Sequence, residues 1–181
     1  MEFKETRFKG LVEIFPKIFG DERGYFFESY SEANFSKNGL NLKFVQDNQS
    51  FSTKGVLRGL HLQKPPFAQG KLVRVVQGKV LDVVVDVRKN EPTFGQSASF
   101  LLDSKIGNMV YVPEGFAHGF VTIEDALFLY KCTNIYNKDS ESGIIWNDSK
   151  LNIDWQFANP LVSEKDKLLP TFDELIRTLY P

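Results

Sequence analysis

Along most of the chain apolar side chains recur at every second position, the period of a half-buried β-strand rather than the 3.6 of a helix. Lys71-Leu-Val-Arg-Val-Val76 and Lys79-Val-Leu-Asp-Val-Val-Val-Asp-Val87 carry that period most densely, in β-branched residues that favour extended backbone. Gln77-Gly78 between them predicts a tight hairpin. Further strands are predicted over 24–30, 44–51, 55–63, 98–102, 109–112, 119–123 and 126–136, with turn residues between them. Helix is confined to a short piece near 31–38 and to the C-terminus, where Thr171-Phe-Asp-Glu174 spells a capping box ahead of Leu175 to Tyr180. Many short strands without alternating β and α units predict an all-β fold, an antiparallel jelly roll with short helices, one of them C-terminal. No repeat or low-complexity linker divides residues 1–181, so a single domain is expected.

Composition narrows the classes of function. Seventeen phenylalanines and 42% hydrophobic residues suit a dense aromatic interior, and no apolar run approaches the ~18 residues of a membrane span. With 22 basic against 23 acidic residues and no basic run, the chain lacks the charge that nucleic-acid binding needs. A nucleotide-sized anion remains a candidate ligand, because a few cations gathered in one pocket do not show in the total. Met1 to Lys9 alternates charge with phenylalanine and has no secretory apolar segment, and the one cysteine, Cys132, has no partner for an intrachain disulfide. A cytoplasmic location is expected.

Candidate chemistry rests on few residues. The chain has two histidines, His61 in Val56-Leu-Arg-Gly-Leu-His61-Leu-Gln63 and His118 in Pro113-Glu-Gly-Phe-Ala-His118, so any imidazole mechanism uses one or both. In Ala126 to Tyr136, alternation sends Phe128, Tyr130, Cys132, Asn134 and Tyr136 to one face, either as ordinary barrel aromatics or as two phenols addressing one cavity. Lys71 shares its face with Val73 and Val75, either snorkelling to solvent or meeting an anion inside. Asp82 and Asp86 alternate with Val84 and read equally as a solvated stripe. Arg58 and His61 would leave a regular strand on opposite faces, but a bulge at Gly59 would turn both into one pocket.

Gly107, Pro113, Gly115 and His118 follow the spacing of the second cupin signature, with Thr122 at its usual asparagine position. The chain thus resembles a cupin, although His61-Leu-Gln63 stands where metal-dependent cupins carry His-X-His. More specifically, ordered motifs along nearly the whole chain resemble the dTDP-4-dehydrorhamnose 3,5-epimerase family. They are Asp21-Glu-Arg-Gly-Tyr-Phe-Phe-Glu28, Phe44-Val-Gln-Asp-Asn48, Gly55 to His61, Gln69 to Arg74, Pro92-Thr-Phe-Gly95, Pro113 to Gly119, Tyr136 through Glu141 to Gly143, and Ser163-Glu-Lys-Asp166. Asn137-Lys138 and Asp148-Ser149 depart from the family's usual proline-containing steps.

By position, the resemblance implies that His61 is the proton acceptor, supported by Asp166, that Tyr130 is the proton donor, and that Lys71 stabilises an enolate. It implies substrate contacts at Arg23, Glu28, Gln46, Asp47, Asn48, Arg58, His118, Glu141 and Lys165, with Tyr136 stacked on thymine. It further implies a cupin-type barrel with no metal and no cofactor, a dTDP-linked 4-keto-6-deoxy sugar as partner, and a homodimer with exchanged N-terminal strands, for which Phe3, Phe8, Leu11 and Ile14 are apolar enough. The implied reaction inverts C3 and C5 beside a C4 ketone. A single-centre epimerase, a metal-dependent cupin oxygenase and a non-catalytic sugar-binding cupin stand as alternatives.

Overall fold

The computed structural model describes residues 1–180. In chain order the strands are β1 (Glu2–Glu5), β2 (Val12–Phe15), β3 (Phe19–Asp21), β4 (Gly24–Phe26), β5 (Gln46–Ser52), β6 (Val56–Gln63), β7 (Lys71–Asp86), β8 (Ser97–Asp103), β9 (Met109–Val112), β10 (Phe116–Cys132), β11 (Glu141–Gly143) and β12 (Leu161–Val162). Three short helices, α1 (Glu32–Lys37), α2 (Glu164–Lys167) and α3 (Phe172–Leu179), interrupt or follow them.

Two strands much longer than the others hold the barrel together. β7 and β10 pair antiparallel along their length, and each passes from one layer to the other. The first half of β7 pairs with β9 and its second half with β8, while β10 pairs first with β6 and then with β5. One layer therefore runs β1-β2-β9-β7-β10-β5 and the other β8-β7-β10-β6-β11, with β12 parallel to the start of β6. This is a jelly-roll barrel, as the turn-punctuated strand pattern predicts.

The expected hairpin at Gln77-Gly78 is not formed. Gly78 has φ +78°, and a side chain there would run into the Asp125 carbonyl, so the glycine bends one continuous strand beside a register shift in β10. The extra residue reverses which positions face inward. Val73 and Val75 point into the barrel before the bend and Val80 and Val84 after it, so Asp82 and Asp86 face the interior, fully buried, rather than forming a solvated stripe.

Three apolar clusters account for the layers. Val73, Val75, Val80, Val84, Phe116, Phe120 and Phe128 fill the barrel. Leu57, Leu81, Val83, Val85 and Val121 on the outer face of one layer are covered by Trp155, Phe172 and Leu175. Val12, Ile14, Leu72, Met109 and Tyr111 on the outer face of the other layer are covered by Phe35, with Tyr30, Leu40 and Leu42 packed against them. Ser31 caps α1, and Thr171 and Glu174 form the expected capping box on α3. The Asp148 carboxylate takes the backbone N–H of Phe172 at 2.8 Å, pinning that helix start over the sheet. No helix among the described residues is long and apolar enough to cross a membrane.

Candidate active site

A cavity of about 630 Å³ opens at one end of the barrel, within the size range of small-molecule sites. His61 and Arg58 reach it from β6, Lys71 from β7, His118, Phe120, Phe128 and Tyr130 from β10, Glu141 from β11, and Lys165 and Asp166 from α2. Five segments of the chain thus converge on one space.

The odd spacing of Arg58 and His61 is absorbed at Gly59. Between the pairs His118↔His61 and Phe120↔Arg58, β6 advances three residues while β10 advances two, a bulge that aims both side chains at the cavity. Gly59 has φ +132°, and a Cβ there would lie 2.5 Å from the Gly119 Cα, so no other residue fits.

The parallel pairing of β12 with β6 brings the start of α2 under the bulge. Ser163 caps that helix by accepting the Asp166 N–H at 3.1 Å, and the Asp166 carboxylate accepts His61 Nε2–H at 2.7 Å and the Gly59 N–H at 3.3 Å. Burial works against the carboxylate's charge, but these hydrogen bonds outweigh it and hold Asp166 below the usual value. With Nε2 committed to Asp166, the other ring nitrogen of His61 is left for chemistry. The side chain keeps 32% exposure, enough for a ligand to reach it.

Tyr130 stands on the barrel-facing side of β10 beside Phe128, at 6.1 Å between ring centroids. Burial pushes its phenol above the usual value, reinforced by Cys132 and Glu141 and opposed by Arg58, so at neutral pH it holds its proton. Burial drives the Lys71 ammonium the other way, below an ordinary lysine, and Cys132, Asp82 and Glu141 counter only part of that. Lys71 is only half-buried because its tip opens on the cavity.

At the mouth, Glu141 accepts the Tyr136 hydroxyl at 2.8 Å and the Lys165 ammonium at 2.7 Å. Burial opposes its charge, yet these two donors hold the Glu141 carboxyl down. Gln46 accepts the Tyr136 backbone N–H at 2.8 Å and donates to Asn48 at 3.0 Å, joining β5 to the same rim. Asn137, one of the departures from the family pattern, caps the turn leading to Glu141 by accepting the Ser140 N–H at 3.0 Å.

Not every residue implied by resemblance lies here. Asp47 falls between Gln46 and Asn48 on β5, so the pleat sends it outward, where it takes the Lys131 ammonium at 2.7 Å. Arg23 sits on the exposed β3–β4 hairpin, paired with Asp21, and Glu28 accepts the Asn34 amide at 2.7 Å. Within one chain neither lines the cavity. Phe8, Leu11 and Ile14, expected to suit strand exchange, are buried in the chain's own core.

Asp82 is the residue that sequence reasoning left open and the structure brings to the site. It is fully buried and accepts His118 Nε2–H at 2.8 Å. Gln63, at the second histidine position of the cupin metal motif, instead donates to the carbonyls of Phe67 and Ile135 and accepts the Asn137 N–H. Among the described residues no group of three or more His, Cys, Asp or Glu side chains is arranged to hold a metal ion.

A jelly-roll barrel whose mouth carries an imidazole, a phenol and an ammonium around one cavity is the architecture of a cupin-type epimerase. The sequence profile of dTDP-4-dehydrorhamnose 3,5-epimerases matches residues 5–174. The chain belongs to that family. It is 50% identical over 168 residues to a dTDP-4-dehydrorhamnose 3,5-epimerase of Shigella flexneri, covering 92% of this chain and 93% of that one. A crystal structure of dTDP-6-deoxy-D-glucose-3,5-epimerase from Legionella pneumophila in complex with dTDP-4-keto-L-rhamnose is 42% identical, with TM-score 0.94 over 99% of this chain and 97% of that one. A 3′-monoepimerase from Streptomyces bikiniensis in complex with dTDP-quinovose is 31% identical, with TM-score 0.89 over 96% and 89% of the two chains.

Proposed function

We propose that the protein converts dTDP-4-dehydro-6-deoxy-D-glucose to dTDP-4-dehydro-L-rhamnose by removing and returning protons at C3 and C5. The observation that carries this reading is the His61–Asp166 pair, at 2.7 Å, opening on the same cavity as Tyr130 and Lys71. Membership of the epimerase family supports the choice of sugar.

A C–H bond beside a ketone is weakly acidic, because the electrons left behind delocalise onto the carbonyl oxygen. His61 takes the proton on the ring nitrogen that Asp166 does not hold, and the Asp166 carboxylate stabilises the imidazolium so formed. Lys71 faces the negative oxygen at C4 and lowers the barrier electrostatically. The carbon becomes planar, and Tyr130 returns a proton from the other face, inverting the centre. Solvent then carries the proton from His61 back to the Tyr130 oxygen, so the enzyme is restored. The ketone itself supplies the acidity, and the chemistry calls for no cofactor.

In this reading Arg58 and Lys165 hold the diphosphate, and Gln46, Asn48, His118, Tyr136 and Glu141 take the remaining polar groups and the thymine ring. Arg23 and Glu28 join them in a homodimer, contributed by a neighbouring subunit. Supporting that assembly, the hairpin that carries Arg23 exposes Phe19, Tyr25 and Phe26 by more than half, and β1 is an edge strand with an unpaired side, the kind exchanged between subunits. The unpaired, buried Cys132 suits the reducing cytoplasm.

Incubation with the dTDP-ketosugar in deuterated water tests the reading. Deuterium at both C3 and C5 is expected; label at one centre makes the protein a single-centre epimerase, and none refutes both.

A further inference from the structure

The reaction just described uses one histidine–aspartate pair, and the barrel contains two. His61 and His118 are partners across the β6–β10 ladder, and each ring gives its Nε2–H to a carboxylate. Asp166 belongs to an outer helix, whereas Asp82 comes from the interior face of β7 and is fully buried behind His118.

Three features of Asp82 exceed what packing requires. It is fully buried, where an ionisable side chain is costly unless its charge is used. Its Oδ2 is, among the described residues, the one buried side-chain oxygen without a hydrogen-bond partner. It also contributes to keeping the Lys71 ammonium charged. His118 is 6% exposed and lines the cavity, its Nε2 is taken by Asp82, and no protein atom among the described residues bonds its Nδ1. The ring lies against Phe128, 29° from parallel with centroids 6.3 Å apart, so it has little freedom to rotate.

We propose that Asp82 is a positioning residue for the epimerisation: it holds the His118 ring with Nδ1 toward the cavity and supplies the negative charge that lets this nitrogen carry a proton as charge grows on the C4 oxygen. His118 and Lys71 then form a two-point clamp on that oxygen. The inference rests on the proposed reaction and adds a residue to it. The unbonded Oδ2 fits this role, since a carboxylate satisfied on every side would be neutralised locally and give less to the His118 ring.

The test compares the wild-type protein with Asp82→Asn, which preserves shape and removes charge. The expected result is a fall in kcat of about a hundredfold, the order that one lost oxyanion donor costs, with KM within about threefold. The asparagine amide oxygen still accepts the Nε2–H, and with the charge gone Nδ1 faces the cavity as an unprotonated acceptor. With two histidines in the chain, ¹⁵N spectra of the imidazoles read this directly: the His118 pattern changes and the His61 pattern stays. A His118→Gln background supplies a second comparison, in which Asp82→Asn or Asp82→Ala costs at most a few-fold more if Asp82 acts through the ring. Activity of Asp82→Asn within threefold of wild type, an unchanged His118 spectrum, or a further hundredfold loss in the His118→Gln background overturns the inference. A wild-type protein that places no deuterium in the ketosugar overturns the reaction itself, so the two failures are told apart.

Discussion

His61 and His118 face each other across β6 and β10, each with Nε2 tied to a carboxylate, at 2.7 Å to Asp166 and 2.8 Å to Asp82. The two rings differ in access: His61 keeps 32% of its side chain exposed and His118 only 7%. The open ring suits proton transfer with a substrate that comes and goes, and the closed one suits a fixed contact in the cavity wall.

Removing the charge behind His61 tests the base. Asp166→Asn leaves a group able to accept the Gly59 N–H but lacks the charge that supports an imidazolium. A fall in kcat of about 10²–10⁴-fold is expected, the usual contribution of a positioned base, with substrate affinity little changed. Steady-state kinetics beside a thermal melt separate this from loss of fold.

Acid and base can be separated by Tyr130→Phe. His61 still withdraws the proton, so solvent deuterium should enter recovered substrate while formation of the inverted product drops by about a hundredfold or more. Loss of deuterium uptake in step with product would mean that Tyr130 also takes part in proton removal.

On the alkaline side the activity should end with Lys71. Burial lowers its ammonium below the ordinary 10.5, so the lysine loses its working charge at a lower pH than a free lysine does, while burial raises the Tyr130 phenol so that it keeps its proton longer than a free tyrosine. The descending limb of kcat/KM should therefore lie below pH 10.5 and move upward in Lys71→Arg. A limb that stays in place in that variant assigns it to another group.

Gly59→Ala should disrupt the fold locally. The new Cβ would sit 2.5 Å from the Gly119 Cα at a φ of +132°, and neither backbone can move without breaking the β6–β10 ladder. A loss of about 2–4 kcal/mol is expected, lowering Tm by roughly 2–4 °C for each kcal/mol. Calorimetry measures it directly, and Tm within 2 °C or so of wild type would show that the bulge tolerates a side chain.

Phe172→Ala, far from the cavity, provides the contrast. Its ring is 2% exposed under the outer sheet face, and deleting it should cost about 3–5 kcal/mol while kcat at moderate temperature is maintained.

Local pattern was enough for the elements whose physics is local. Alternation of β-branched residues marked β7 and β9, the Thr171–Glu174 reciprocal bonds marked the start of α3, and Ser31 marked that of α1, because strand faces and caps depend on residues a few positions apart. The two histidines and the glycine between Arg58 and His61 were equally legible as a site in need of a bulge. The order of motifs along the chain carried the family. What alternation could not settle was the side on which a face ends up: β7 is apolar on both faces, and only the bend at Gly78 against β10 turned Asp82 inward and made one strand of two. Nor could spacing bring Asp166 to His61, a contact 105 residues apart that exists because β12 lies beside β6. Those long-range placements follow from burying two apolar faces at once, a condition on the whole sheet that no window of sequence contains.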